Sequence, residues 1–119
     1  ARRFIIHVSA MEGQFTREGK NAYHPHTNMA KAAMHMLTRT AAGDLAEKGI
    51  FLTSVDTGWI TDEKPLPDAE RVKQEQDFYP PLDNIDGASR IYDPIATGLD
   101  PTHEPFHGCF LKDYFPYPW

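Results

Sequence analysis

The side chain of this sequence most in need of a chemical explanation is Lys31, in the run His24-Pro-His-Thr-Asn-Met-Ala-Lys31. It stands among apolar neighbours one helical turn after Thr27, and an ammonium group there needs either a ligand or a route to solvent along its own stem. His24 precedes it by close to two turns and is expected about 10 Å along the same side of the helix. Histidine titrates near neutral pH, so His24 or His26 could pass a proton to a substrate; the plain alternative is that both are the surface of the first turn. Tyr23 is the nearby phenol. Ser9, in Ser9-Ala-Met-Glu-Gly13, offers a hydroxyl that could orient a substrate oxygen or simply bond to backbone. Metal chemistry is not expected. His24-x-His26 and His103-Glu-Pro-Phe-His107 lack the three or four convergent ligands that zinc needs, and Pro105 interrupts any helix joining the later pair. Cys109, inside an apolar run, should pack as a small hydrophobe.

These residues are positioned by three elements. Phe4-Ile-Ile-His-Val8 is a nearly continuous apolar run, the pattern of a parallel strand buried on both faces. It delivers Ser9 to its carboxyl end, the edge at which open α/β sheets bind their ligands. A loop over 14–23 leads to a helix that opens at Pro25, suited to the first helical position, and runs to about Gly49, suited to the residue just past the end. Met29, Ala33, Met36 and Thr40 fall on one side of this helix. Ala30, Met34, Leu37, Ala41 and Leu45 fall on a neighbouring side, so cover is expected from a sheet and from a second helix. Ile50-Phe-Leu-Thr-Ser-Val55 is the next strand, giving a right-handed strand-helix-strand crossover with parallel strands, and it ends in Asp56-Thr-Gly-Trp-Ile-Thr61.

Residues 62–82 are charged and proline-bearing, with a short exposed helix expected over 68–77, and read as a segment covering the sheet edge. Asp83 should cap a helix through Ile85, Ala88, Ile91 and Tyr92 that Pro94 bends or ends near Asp93. Residues 108–112 make a last short strand, parallel to the others, and the aromatic tail from Tyr114 to Trp119 reads as irregular.

The 119 residues are the size of one domain, and 40% are hydrophobic, enough for a core. Net charge is −5, with seven basic and five acidic side chains in residues 1–60 against five and twelve in residues 61–119. Nucleic acid is a poor partner for a surface of that sign. No apolar run reaches the roughly 18 residues of a membrane helix, and a single cysteine allows no internal disulfide, so a cytoplasmic protein is expected. The chain begins Ala-Arg-Arg-Phe and enters a strand at once, as a fragment would.

Ile5-Ile-His-Val-Ser-Ala-Met-Glu-Gly13, Thr27-x-x-x-Lys31-Ala-Ala, Leu37-Thr-Arg-Thr, Lys48-Gly-Ile and Val55-Asp-Thr-Gly-Trp-Ile60 together resemble the second half of a short-chain dehydrogenase/reductase. The resemblance covers residues 3–61 closely and the rest loosely. It implies an α/β chain that is the C-terminal portion of a Rossmann-like doubly wound parallel sheet, a single partial domain. It implies NAD or NADP as cofactor and a small carbonyl or alcohol substrate. Lys31 would hold the nicotinamide ribose, Gly58, Ile60 and Thr61 would lie at the nicotinamide, and Ser9, Thr27 and His24 become the catalytic candidates beside Lys31. Self-association through helix 25–48 is also implied, with Ala32, His35, Met36, Arg39 and Thr40 on its outer side.

The sequence departs from that family at the positions that matter for proton transfer. Thr27 stands where the family has tyrosine, and its hydroxyl is far too weak an acid to replace a phenol of pKa about 10. The family's serine falls on Ala10, with Ser9 one residue short, and such a shift turns a strand-end side chain to the other face. Two functions are therefore expected of the fold: an oxidoreductase whose proton donor has moved, or a catalytically silent dinucleotide-binding or scaffolding relative.

Overall fold

The computed structural model describes residues 1–60 and 81–119. Strand β1 (Arg3–Ser9) pairs in parallel with β2 (Ile50–Asp56), in register from Arg3 opposite Ile50 to Ser9 opposite Asp56. β2 pairs in parallel with β3 (Phe110–Lys112), and β3 pairs antiparallel with β4 (Phe115–Tyr117), in the order β1-β2-β3-β4. The fold is thus α/β with a mixed sheet. β2 is its centre, buried from Leu52 to Asp56, and the outer edge of β1 carries no strand among the described residues.

Helix α1 (Pro25–Glu47) crosses from β1 to β2 with Pro25 in its first turn, and Gly49 follows in the left-handed region at φ +75°. It lies on the sheet face that carries His7, Ser9 and Ser54. The contact is polar: His7 Nδ1 is 3.0 Å from Thr38 Oγ1, which is 2.7 Å from Ser54 Oγ. Thr38, His35 and Ala42 are the buried residues of α1, whereas Met29, Met36 and Leu37 are 71, 55 and 53% exposed. The expected apolar cover on two sides is therefore found on one side among the described residues. His35, expected on the outer side, is buried instead, because the α1 stripe that meets the sheet is the one bearing groups complementary to His7 and Ser54.

Helix α2 (Asn84–Leu99) lies on the opposite face, where a methyl at Gly98 would overlap the Phe4 ring. Asp83 caps it as expected, and the box is reciprocal: the Asp83 carboxylate accepts from Asp86 N at 2.9 Å and the Asp86 carboxylate from Asp83 N at 3.0 Å. Pro94 does not end the helix. It is buried inside it, and the helix continues to Leu99. Burial of the ring and the capped start offset the roughly 3 kcal/mol that an interior proline costs.

The tail corrects the sequence reading most clearly. Residues 114–119 are not irregular, because Phe115–Tyr117 forms β4 through a two-residue turn at Asp113 and Tyr114, both at positive φ (48° and 76°). Such hairpin turns ordinarily announce themselves by Asn-Gly or Asp-Gly. Here Arg90 of α2 holds the turn instead: its guanidinium donates to Asp113 Oδ1 at 3.0 and 3.1 Å and lies 4.9 Å from the centre of the Tyr114 ring. Pro116 is tolerated because β4 is an edge strand.

The expected helix over 68–77, and the covering segment up to residue 80, lie outside the described residues. At the far end of that segment Leu82 forms a parallel bridge with Ile60. No helix among the described residues is long and apolar enough to cross a membrane.

Candidate functional site

A cleft of about 620 Å³ opens at the carboxyl ends of β1 and β2, with the first turn of α1 as its third wall. Lys31 enters it because α1 begins only after the 14–23 loop has turned the chain back over the end of β1. Its Nζ donates to Val8 O at 3.0 Å, so the ammonium is tied to the strand end. The ammonium makes no other hydrogen bond among the described residues, so two of its three N–H donors remain beside the cleft. Thr27, Ser9 and Gly58 line the same cleft.

Ser9 is buried, and its hydroxyl donates to Lys31 O at 3.5 Å. The expected turn of this side chain away from a substrate thus takes a definite form: the hydroxyl faces the helix backbone. His24 is exposed at the start of α1 and is not among the residues lining the cleft, and Tyr23 and His26 are likewise exposed. Ile60 packs beneath α2, where a methyl at Gly87 would come 3.3 Å from its Cγ2, and does not line the cleft either. Thr61 lies outside the described residues. Of the seven positions singled out in the sequence, the structure brings four together: Ser9, Thr27, Lys31 and Gly58.

The residue that sequence reasoning passed over is Asp56. Its carboxylate is buried and spans both strand ends, accepting from Met11 N at 3.2 Å and from Gly58 N at 2.5 Å. It therefore fixes the turn after β1, a 3-10 turn at Met11–Gly13, against the loop after β2. The signal was available: an aspartate at the last position of a buried strand, two residues before a glycine, has backbone donors within reach and little else to pair with. Glu12, Arg17 and Lys112 complete the charged rim of the cleft.

The other candidates stand apart. Among the described residues no group of three or more His, Cys, Asp or Glu side chains could hold a metal ion. Cys109 precedes β3, and burial pushes its thiol pKa up, opposed by a contact of 3.2 Å with Thr53 Oγ1, so it is no ready nucleophile. His103 bonds the exposed Asp100, whose carboxyl is held below the usual range chiefly by the Thr102 hydroxyl and backbone N–H. That cluster is a self-satisfied surface turn.

No family model matches the chain. It is similar to uncharacterised protein R665 of Acanthamoeba polyphaga mimivirus, at 40% identity over 99 residues that make up 77% of this chain and 20% of R665. It is also similar to C-signal of Myxococcus xanthus, at 30% identity over 106 residues that make up 87% of this chain and 54% of that protein. The chain spans about a fifth of the one relative and about half of the other.

Proposed function

We propose that these residues form the nicotinamide-side half of a Rossmann-like, doubly wound domain of an NAD(P)-dependent oxidoreductase of short-chain dehydrogenase/reductase type, acting on a carbonyl or alcohol substrate. The observation that carries this reading is Lys31: an ammonium held at the strand end by Val8 O, with no other partner among the described residues, lining a cleft at the sheet edge where α/β folds bind nucleotides. The cleft volume is within the range of small-molecule sites, and two free N–H donors suit the hydroxyl pair of a ribose. Bound NAD(P)H would supply the hydride for the carbonyl carbon. In this reading Lys31 binds the ribose and is the cleft cation placed to assist the substrate oxygen. Asp56 keeps the two walls in register, and Gly58 lies at the nicotinamide. The exposed Met29, Met36 and Leu37 would form the face through which the cytoplasmic protein self-associates.

A second reading, a catalytically silent dinucleotide-binding or scaffolding relative, is favoured by a different observation. The Ser9 hydroxyl is taken by the Lys31 carbonyl, Thr27 is no acid, and Tyr23 and His24 are exposed outside the cleft. One experiment separates the readings. NAD(P) binding is measured calorimetrically on the full-length protein, on Lys31→Ala and on Thr27→Tyr, together with turnover on a panel of aldehydes and ketones. Binding that Lys31→Ala abolishes supports the site, and turnover then supports the enzyme. Binding without turnover, with turnover gained in Thr27→Tyr, selects the silent relative. Binding unaltered in Lys31→Ala, or no binding by the full-length protein, removes both.

A further inference from the structure

His35 is 5% exposed, and neither ring nitrogen has a hydrogen-bond partner among the described residues. Its ring packs against Phe110 at 4.5 Å and Trp119 at 5.3 Å between centroids, and Phe110 and Trp119 are themselves stacked, 18° from parallel. One edge of the imidazole abuts Gly13, where a methyl would come 2.8 Å from its Cε1 and 2.9 Å from its Nδ1. The next residue, buried Gln14, donates from Nε2 to Pro118 O at 2.6 Å. The tail is thus fastened to the turn after β1 twice, directly through Gln14 and indirectly through His35. That turn also presents Met11 N to Asp56 in the wall of the cleft.

A neutral imidazole tolerates this position because its faces are apolar enough to pack between aromatic rings. An imidazolium does not: both nitrogens become donors, neither has an acceptor among the described residues, and the charge is desolvated. On α1 its charged neighbours are Lys31, one turn before, and Arg39, one turn after, both positive. From β2 comes Asp56, whose carboxylate is already engaged by two backbone N–H groups. The 3-10 turn contributes Gly13, with Glu12 beside it on the cleft; β1 brings His7 against Thr38, one turn along α1; β3 contributes Phe110 and the tail the Trp119 indole, which do not ionise. Burial outweighs the pull of Asp56 and, aided by Lys31, holds the His35 pKa below its ordinary value. A pocket of about 120 Å³ lined by Phe15, Met36, Arg39 and Trp119 lies alongside, giving water a way to the ring once the indole moves.

We propose that His35 and Trp119 form a proton-sensitive latch: while the imidazole is neutral the tail clamps the Met11–Gly13 turn and steadies the cleft wall, and protonation of His35 expels Trp119 and frees that turn. The latch operates whatever the cleft binds.

The test uses the full-length protein labelled with 5-fluorotryptophan, followed by fluorine NMR from about pH 8 to about pH 5. The Trp119 signal is identified by its loss in Trp119→Phe. It should occupy a packed position at the upper end and move to the solvent-exposed value with a midpoint below about 6.5, the ordinary histidine pKa, while the helical circular dichroism stays constant. In His35→Phe the signal should stay at the packed position throughout. Should that variant fail to fold, His35→Leu serves as the non-titrating control. A Trp119 signal that does not move, that moves equally in the non-titrating variant, or that moves only in step with loss of helix would overturn the proposal.

Discussion

The two described helices are fixed by opposite means. Helix α2 is fastened locally, by the Asp83–Asp86 capping box at its start and by the approach of Gly98 to Phe4 near its end. Helix α1 has no side-chain cap and meets the sheet through a polar seam of His7, Thr38 and Ser54, with the bare imidazole of His35 one turn earlier. Its apolar side is exposed among the described residues. A helix placed by hydrogen bonds is fixed in rotation and in register along its axis, because each bond accepts only one partner at one distance, whereas apolar contacts permit sliding. Precise placement matters more for α1 than for α2, since α1 carries Lys31 into the cleft.

That contrast can be broken experimentally, and the largest effect is expected where a new methyl would meet backbone rather than a movable side chain. A methyl at Gly13 would come 2.8 Å from the backbone carbonyl carbon of Lys31, which cannot yield, so Gly13→Ala should cost about 3 kcal/mol by denaturant unfolding. Gly98→Ala on the α2 side should cost clearly less, because the Phe4 ring can rotate and the helix gains propensity. Next comes Thr38→Val, which keeps the shape and removes the hydroxyl joining His7 to Ser54. Leaving buried Ser54 and half-buried His7 without that hydroxyl should cost about 2 kcal/mol, and His7→Phe made in the same chain should cost less than additively.

A smaller effect distinguishes the faces by pH. Because the His35 pKa is depressed in the folded chain, the unfolded chain binds the proton first as pH falls. The stability due to neutral His35 should be intact above about pH 6.5 and lost below it, by at most about 1.4 kcal/mol per pH unit, and His35→Phe should flatten that slope. Asp83→Ala should cost about 1 kcal/mol, independent of everything on the α1 side. Smallest for folding is Met36→Glu, under about 0.5 kcal/mol, since Met36 is exposed. Sedimentation of the full-length protein should nonetheless show weakened self-association, and unchanged sedimentation would leave the exposed side of α1 without that role.

Where the sequence was informative follows from the same physics. The strand-helix-strand unit was legible because Phe4 to Val8, Pro25, Gly49 and Ile50 to Val55 are local signals, each decided within a few residues. The stripe of α1 that meets the sheet was not, because the choice between Met36 and His35 depends on His7 and Ser54, which are distant in the chain. β4 was hidden for a similar reason: Asp113-Tyr114 lacks glycine, and its turn is held by Arg90 rather than by its own residues. In the cleft, Lys31, Ser9, Thr27 and Gly58 could be gathered from strand ends and helical spacing. Asp56 is readable as the partner of the Gly58 turn, but its bond to Met11 N depends on two loops ending side by side, and His24 is exposed at the start of the helix and does not line the cleft.

The clamp of Arg90 on Asp113 and Tyr114 also bears on the order in which the chain takes shape. Two successive left-handed residues without glycine are costly, so the β3–β4 hairpin gains stability from a helix already standing in place. Arg90 leaves the ribosome 23 residues before Asp113, on the order of one to five seconds earlier at common synthesis rates. The hairpin, synthesised later, is therefore met by a helix already made, and the interval favours the order α2 first, hairpin second.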